Sequence, residues 1–385
     1  MRRWIFIVLL CLALPLMAQE SIDDSRESID EAPTDTVVTL TKSQKAKRFF
    51  AKVADFADRW FMKNVDTAYL ALPKHRFKLA FVTDEGSVHT KIHGEGIPYY
   101  DKMDMYMRSN FMPKMGFQVG FRNLSFGYSW NLHKGYNNFK IGITQNGFGI
   151  ELQQRKTSYA KGYVEASAFP DTQQEVQAGE ISINTFYLSS YLALNRKKFS
   201  MPAAFNHSYI QKRSAGSPLL FADFIYQDIS LQREKLIEQT AGLHEMEIYQ
   251  IAIGAGYGYN YTPNKGKFLL HVSGAVLLCV FNQMLLTGDS RMFYQTEYYS
   301  LVFSQKVKPQ YPVHVTGRVK VGLVYNINDY CYLAISGVVN NIRFRTKDTV
   351  FHTSTGDTYD NNPVIKLHIM TWDWNAVLTL AARFL

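Results

Sequence analysis

The residue types best able to do chemistry stand at His271-Val272-Ser273, with Asn282 downstream. On an extended strand, residues two apart share a face. An imidazole there can take the proton of a neighbouring hydroxyl, as nucleophilic acyl transfer requires. His352-Thr353-Ser354 repeats the spacing in a segment that reads as a loop. His89 and His93 lie four apart, but nothing nearby predicts the helix that would bring both to one metal ion. Asp101, Asp104, Asp357 and Asp360 are acids in connecting segments, with no spacing that pairs them. Gly254, Gly256 and Gly258 recur at strand spacing and form no phosphate-cradling loop; they are expected to leave room inside a barrel. These residues assign no catalytic group, metal site or cofactor. The chain reads as a non-enzyme, with a lipid hydrolase built on the His-Ser pair as the alternative.

The elements that would position these residues alternate with a period of two. Met115, Phe117, Val119 and Phe121 alternate with Gly116, Gln118, Gly120 and Arg122, and the pattern resumes at Leu124 after a two-residue turn. Over residues 246–262, Tyr249, Ile251, Ile253, Ala255, Tyr257, Tyr259 and Tyr261 share one face, with the aromatics crowded at its end. Residues 313–327 behave alike, and 372–384 carry Trp372, Trp374, Leu378, Leu380 and Phe384 on one row. Such strands are longer than those of a soluble sandwich, and aromatic ends suit a membrane interface. His271 and Ser273 fall on the polar row, whereas outer-membrane lipases with a similar His-x-Ser pair set it toward lipid.

Twelve strands are expected, at 75–83, 114–121, 124–132, 138–145, 147–156, 181–194, 219–231, 246–262, 267–282, 313–327, 330–342 and 366–385. Segments 103–112 and 293–304 could hide further hairpins, which sets a range of ten to fourteen. Alternate connections are mostly short (122–123, 146, 263–266, 328–329) and the others mostly long, as in bacterial barrels with periplasmic turns and outer loops. The fold class is therefore all-β: a transmembrane antiparallel up-and-down barrel over 64–385. One inner connection is long, 195–218, and carries Arg196, Lys197, Lys198, Lys212 and Arg213. It is expected to plug the lumen or to make a periplasmic contact.

Ahead of the barrel, residues 1–18 read as a Sec-type signal peptide: Arg2 and Arg3, an apolar run from Trp4 to Leu16, and small Ala18. Residues 19–41 hold seven acids and only Arg26 as a base, a disordered linker. Residues 42–63 follow as a basic amphipathic helix with Phe49, Val53, Phe56 and Trp60 at helical spacing. This N-terminal segment is expected in the periplasm and the barrel in the cell outer membrane. After the first 20 residues no apolar run reaches the ~18 residues of a spanning helix. The 385 residues hold 42 bases and 33 acids. Setting aside Arg2, Arg3, Arg26 and the seven linker acids leaves 39 bases against 26 acids from Lys42 onward. Anionic outer-membrane lipid and lipopolysaccharide are therefore expected partners, with an unidentified periplasmic or surface partner and no nucleic acid. Only Cys279 and Cys331 follow the signal, so no disulfide framework is indicated.

Phe199-Ser200-Met201-Pro202-Ala203-Ala204-Phe205, Gln211-Lys212-Arg213-Ser214-Ala215-Gly216-Ser217-Pro218 and Asp66-Thr67-Ala68-Tyr69 with Pro73-Lys74 resemble the signature of an uncharacterised family of exported Bacteroidetes proteins. That family is a domain of unknown function thought to be barrel-like. The resemblance covers roughly 64–385. It implies location and fold, and it brings no activity.

Two functional classes fit a barrel of this kind. One is a porin-like pore or transporter for small solutes, lined by Lys140, Arg318, Lys320 and Arg383 and favouring anions, with 195–218 as its plug. The other is a closed structural or surface-interaction barrel. The Gly and Ala lumen face of 246–262 favours space inside and the plug favours closure, and the balance leans to the first.

Overall fold

The computed structural model describes residues 58–59, 62–97, 100–109, 113–131, 136–157, 160–166, 174–177, 179–232, 243–294, 297–311, 313–347, 349–350 and 364–384. The signal peptide, the acidic linker, most of the helix at 42–63, and His352, Ser354, Asp357 and Asp360 lie outside the described residues. Residues 64–385 form one compact unit.

Twelve strands make the ring: β1 Phe77–Ile97, β2 Lys114–Phe121, β3 Leu124–Trp130, β4 Tyr136–Gln145, β5 Phe148–Thr157, β6 Ile181–Ala193, β7 Ala215–Leu231, β8 Leu243–Tyr261, β9 Phe268–Tyr294, β10 His314–Asn326, β11 Cys331–Arg345 and β12 Val364–Phe384. Each pairs antiparallel with its sequence neighbours, and β12 closes on β1 from Phe384↔Phe77 to Lys366↔Glu95. Closure leaves no unpaired edge within the ring, which hydrocarbon would penalise.

The outward rows are apolar and exposed. On β8, Ile253 is 47% and Tyr257 55% exposed, and Val276 of β9, Val315 of β10 and Leu380 of β12 continue the lipid-facing band. Tyr259, Tyr261, Tyr325 and Phe384 mark its inner rim; Trp130 and Trp372 mark its outer rim. This is an outer-membrane β-barrel. No described helix is long and apolar enough to cross a membrane.

Several strands run further than alternation alone suggested. β1 gives residues 77–84 to β2, then residues 89–97 to a strand at Tyr100–Ser109, which in turn pairs with Ala160–Ala166. β9 runs to Tyr294 and pairs above β10 with Glu297–Val307. Both suspected hairpins therefore exist, as extensions of the wall beyond the membrane rather than as extra members of the ring. A bulge in β9 at Val280 pairs Ala252 with Cys279 but Ile251 with Phe281. It turns the facing of every later β9 residue and brings Asn282 inward.

Candidate functional site

The lumen is the one place where polar side chains from all twelve strands can meet, and it is built in layers. At the inner end the 195–218 connection folds back into the barrel. Pro202 opens a single helical turn, Pro202–Phe205, and Phe199, Ala203, Ala204 and Tyr209 are buried. Leu70–Ala71 pairs with Ile210–Gln211 and ties the start of the domain to this plug.

The plug is held by a hydrogen-bond chain whose direction follows from donor counting. Gln211 Nε2 donates to the Lys198 and Arg213 carbonyls at 2.6 and 2.9 Å. Its Oε1 therefore accepts from Ser200 N at 3.0 Å and Asn260 Nδ2 at 2.9 Å. Asn260 Nδ2 also donates to the Ser200 carbonyl, so Asn260 Oδ1 is left to accept from His271 Nδ1 at 2.6 Å. A neutral imidazole protonated at Nδ1 must accept at Nε2, where Ser273 Oγ donates at 2.9 Å. The ring of Phe205 packs edge-on against His271 at 5.0 Å. Gly258 completes the seat, because a Cβ there would come within 3.0 Å of Phe199 and Leu219.

The His-Ser pair thus faces the lumen, as its row predicted, but its third member is Asn260. Asn282 instead accepts from Gln250 at 3.0 Å. Ser273 is only 3% exposed, behind a packed plug. Asn260→Asp removes both donors to the plug. The expected cost is about 1–3 kcal/mol of stability, read as a lower urea midpoint, together with faster chymotrypsin cutting at Phe199 or Tyr209. Unchanged midpoint and cutting would mean that the network does not hold the plug.

Above the plug lies a cavity of about 40 Å³, lined by Lys140, Glu151, Ser189, Tyr191, Arg318 and Lys320 and floored by Met201, Pro202 and Phe205. That is room for about three waters. Lys140 pairs with Glu151 at 2.9 Å. Arg318 pairs with Asp223 at 2.9 Å, and its Nε donates to Asn340 at 2.8 Å. Lys320 lies over the Phe205 ring at 5.7 Å. Arg383 sits lower, over Tyr332 at 4.5 Å, and donates to Asn326 at 3.0 Å. On the same level Lys78 donates to the Asn206 carbonyl and side chain, which anchors the plug from β1.

The next layer outward is also paired. Arg155 Nη1 binds Asp373 at 2.5 and 2.6 Å, and Tyr187 donates to the same carboxylate at 2.6 Å. Asp84 accepts from Ser129, Asn138 and Asn375. Beyond this the lumen turns apolar. Twenty buried apolar side chains fill it, including Met103, Met105, Met107, Met246 and Met284. Several come from the extra strands that continue the wall above β2 and β10.

The family model described as Domain of unknown function (DUF4421) matches residues 64–360. The chain belongs to this family. The DUF4421 match starts at the first described turn of the barrel unit and includes the whole plug. No curated protein matches the sequence. Among solved structures, the outer membrane protease OmpT from Escherichia coli is similar at 11% identity, over 81% of this chain and 97% of that one, with a TM-score of 0.42. The toluene transporter TodX from P. putida is similar at 6% identity, over 80% and 90%, with a TM-score of 0.25. The outer membrane protein OprG from Pseudomonas aeruginosa is similar at 7% identity, over 82% and 99%, with a TM-score of 0.28. These likenesses are too distant to carry a substrate or an activity over.

In this DUF4421 barrel the nine basic residues singled out by sequence separate into two groups. Lys140, Arg318, Lys320 and Arg383 point inward, and Lys140 and Arg318 have acidic partners. Arg196, Lys197, Lys198 and Arg213 are exposed at the inner mouth, and Lys212 is half-buried. Lys198 and Arg213 lie over Tyr69, and Lys212 donates to the Thr67 carbonyl at 2.9 Å. The segment does fill the lumen, but its neutral residues do the filling. The acids Asp84, Glu151, Asp223 and Asp373 and the cation Arg155 were missed. Their signal was an acid or base on the polar row of a strand otherwise apolar on its other face. His89 and His93 face outward on β1, and His93 bonds Asp104 at 2.8 Å rather than a second imidazole. Among the described residues no group of three metal-ligating side chains forms.

Proposed function

We propose that this barrel is closed: an envelope scaffold or surface-interaction protein whose lumen passes no solute and whose contacts are made at its two ends. One observation carries the reading. The outer end of the lumen is filled by twenty buried apolar side chains, independently of the plug at the inner end. A pore needs a continuous wet path, and among the described residues this apolar packing speaks against one. This packing favours the structural class over the transport class that the sequence first suggested. Lys140, Arg155 and Arg318 are neutralised by Glu151, Asp373 and Asp223, and a paired charge is a poor anion conductor.

The second reading, a gated anion channel, draws on the wet cavity beside Lys140, Arg318 and Lys320. Deleting 199–211 separates the two. In liposome swelling with small sugars, the closed-barrel reading expects no faster uptake from a folded deletion variant than from the wild type, because the outer packing remains. Faster uptake would favour the gated channel. A lipid hydrolase gains no support, since Ser273 is walled off from lipid and from bulk water. Export through the N-terminal signal, and a periplasmic place for residues 19–63, belong to the same proposal. They are supported by the inner position of the first described turns, where Asp66 N donates to the Lys197 carbonyl at 2.9 Å.

A further inference from the structure

Where the lipid-facing rows of β11, β12 and β1 end, the outward face changes chemistry within four residues. On β12 the exposed row runs through Leu380, Leu378 and Trp372 and then reaches His368. On β11 it runs through Leu333, Ile335 and Val339 and then reaches Arg343 and Arg345. Strand pairing assembles these bases with others into adjoining rows. Trp372 is opposite His89, His89 opposite Arg108, and Arg108 opposite Lys161. Arg343 is opposite Met370, Met370 opposite Lys91, and Lys91 opposite Tyr106. Arg345 is opposite His368, and His368 opposite His93.

Lys91, Arg108, Lys161, Arg343 and Arg345 are exposed, and among the described residues none has an acidic partner at ion-pair distance. The nearby acids Asp104 and Glu165 continue the row of Arg345, His368 and His93, and Glu95 lies one row farther; Asp104 and Glu95 engage His93. Burial first, and then the positive charge of Arg345, His93 and Arg343, holds the His368 imidazole below the usual histidine range. Five exposed bases with no paired acid among the described residues, at the edge of a hydrocarbon band, call for an anion that resides there.

We propose that this face of the barrel binds the phosphates of a phosphorylated glycolipid in the outer leaflet. The chemistry fits in three respects. Guanidinium groups bind phosphate oxygens through two parallel N–H donors, which suits Arg343, Arg345 and Arg108. Neighbouring strands lie about 4.8 Å apart, so Arg343 and Lys91 stand roughly 10 Å apart across Met370. One phosphate cannot engage both closely, and a headgroup with two phosphates can. Trp372 and Tyr163, at the foot and flank of the patch, offer the amphipathic surface that an interfacial sugar and the tops of acyl chains prefer. The inference goes beyond the closed-barrel reading and depends only on which end faces outward.

The test is native mass spectrometry of the full folded chain in detergent, titrated with diphosphoryl lipid A. Parallel arms use lipid A stripped of both phosphates, phosphatidylglycerol and inorganic phosphate. The wild type is expected to retain diphosphoryl lipid A and none of the other three. The triple variant Lys91→Gln, Arg343→Gln, Arg345→Gln should retain it at least about tenfold less well. All three side chains are exposed, and heat-modifiable mobility on gels reports whether the variant has folded. Undiminished retention by a folded variant would overturn the proposal. So would equal retention of dephosphorylated lipid A or of phosphatidylglycerol by the wild type, a comparison that needs no variant.

Discussion

Asp373→Ala should destabilise the barrel by about 3–5 kcal/mol. Asp373 is 2% exposed and holds Arg155 through two contacts and Tyr187 through a third. Removing the carboxylate leaves the buried Arg155 guanidinium without its ion-pair partner, and the more distant Asp84, already accepting from Ser129, Asn138 and Asn375, does not replace the two lost contacts. The measurement is a urea titration of the refolded protein in vesicles, read as loss of the heat-modifiable gel form. The pair itself contributes less than its removal costs, because both ions were desolvated to make it. Arg155→Met together with Asp373→Leu should therefore recover most of the loss. A wild-type midpoint for Asp373→Ala would contradict the pairing, and a double variant no better than the single would contradict the explanation.

Ile253→Arg should cost about 2–4 kcal/mol and lower the yield of assembled barrel. Ile253 sits on β8 between Ile251 and Tyr257, in the middle of the exposed apolar row. A guanidinium there would face hydrocarbon at its deepest point. Refolding into vesicles with the same gel readout gives the number. Tyr261→Arg is the matched control, because it sits on the same row at the inner rim, where an arginine reaches headgroups and costs about 0–1 kcal/mol. Equal effects at the two positions would overturn the facing of β8.

The wall of this protein was legible because two signals agree. The two-residue period fixes which side chains face lipid, and a one-residue slip would turn every one of them inward. Connection length fixes which end is inner. Together they give all twelve ring strands and the close of β12 on β1. They stop where the barrel leaves the membrane. Beyond Trp372 the inward row turns apolar, with Leu367, Ile369, Ile92 and Phe344, and the outward row turns polar, with His368, Lys91 and Arg345, so the alternation that marks the membrane wall inverts. The continuation of β1 to Ile97 and of β9 to Tyr294 was lost for that reason.

The interior was less legible, because its contacts are not local. Arg155 and Asp373 are 218 residues apart, and Arg318 and Asp223 are 95 apart. A base on a polar row looks like a pore lining until the facing acid is known. The single extra residue at Val280 moves Asn282 to the lumen side without any mark in composition. The plug shows the same limit. Its charges drew the eye, yet Arg196, Lys197 and Lys198 stay in water, while Phe199, Ala204 and Tyr209 enter the barrel. Burying uncharged residues costs far less than burying lysines without partners.

Single-channel recording of the refolded wild-type protein in a planar bilayer, under opposed salt gradients, tests the sealed lumen most directly. With folding shown by the heat-modifiable gel form, the closed-barrel account predicts a silent trace. Steady steps selective for anions would contradict it and return the basic lumen residues to the role of a pore lining.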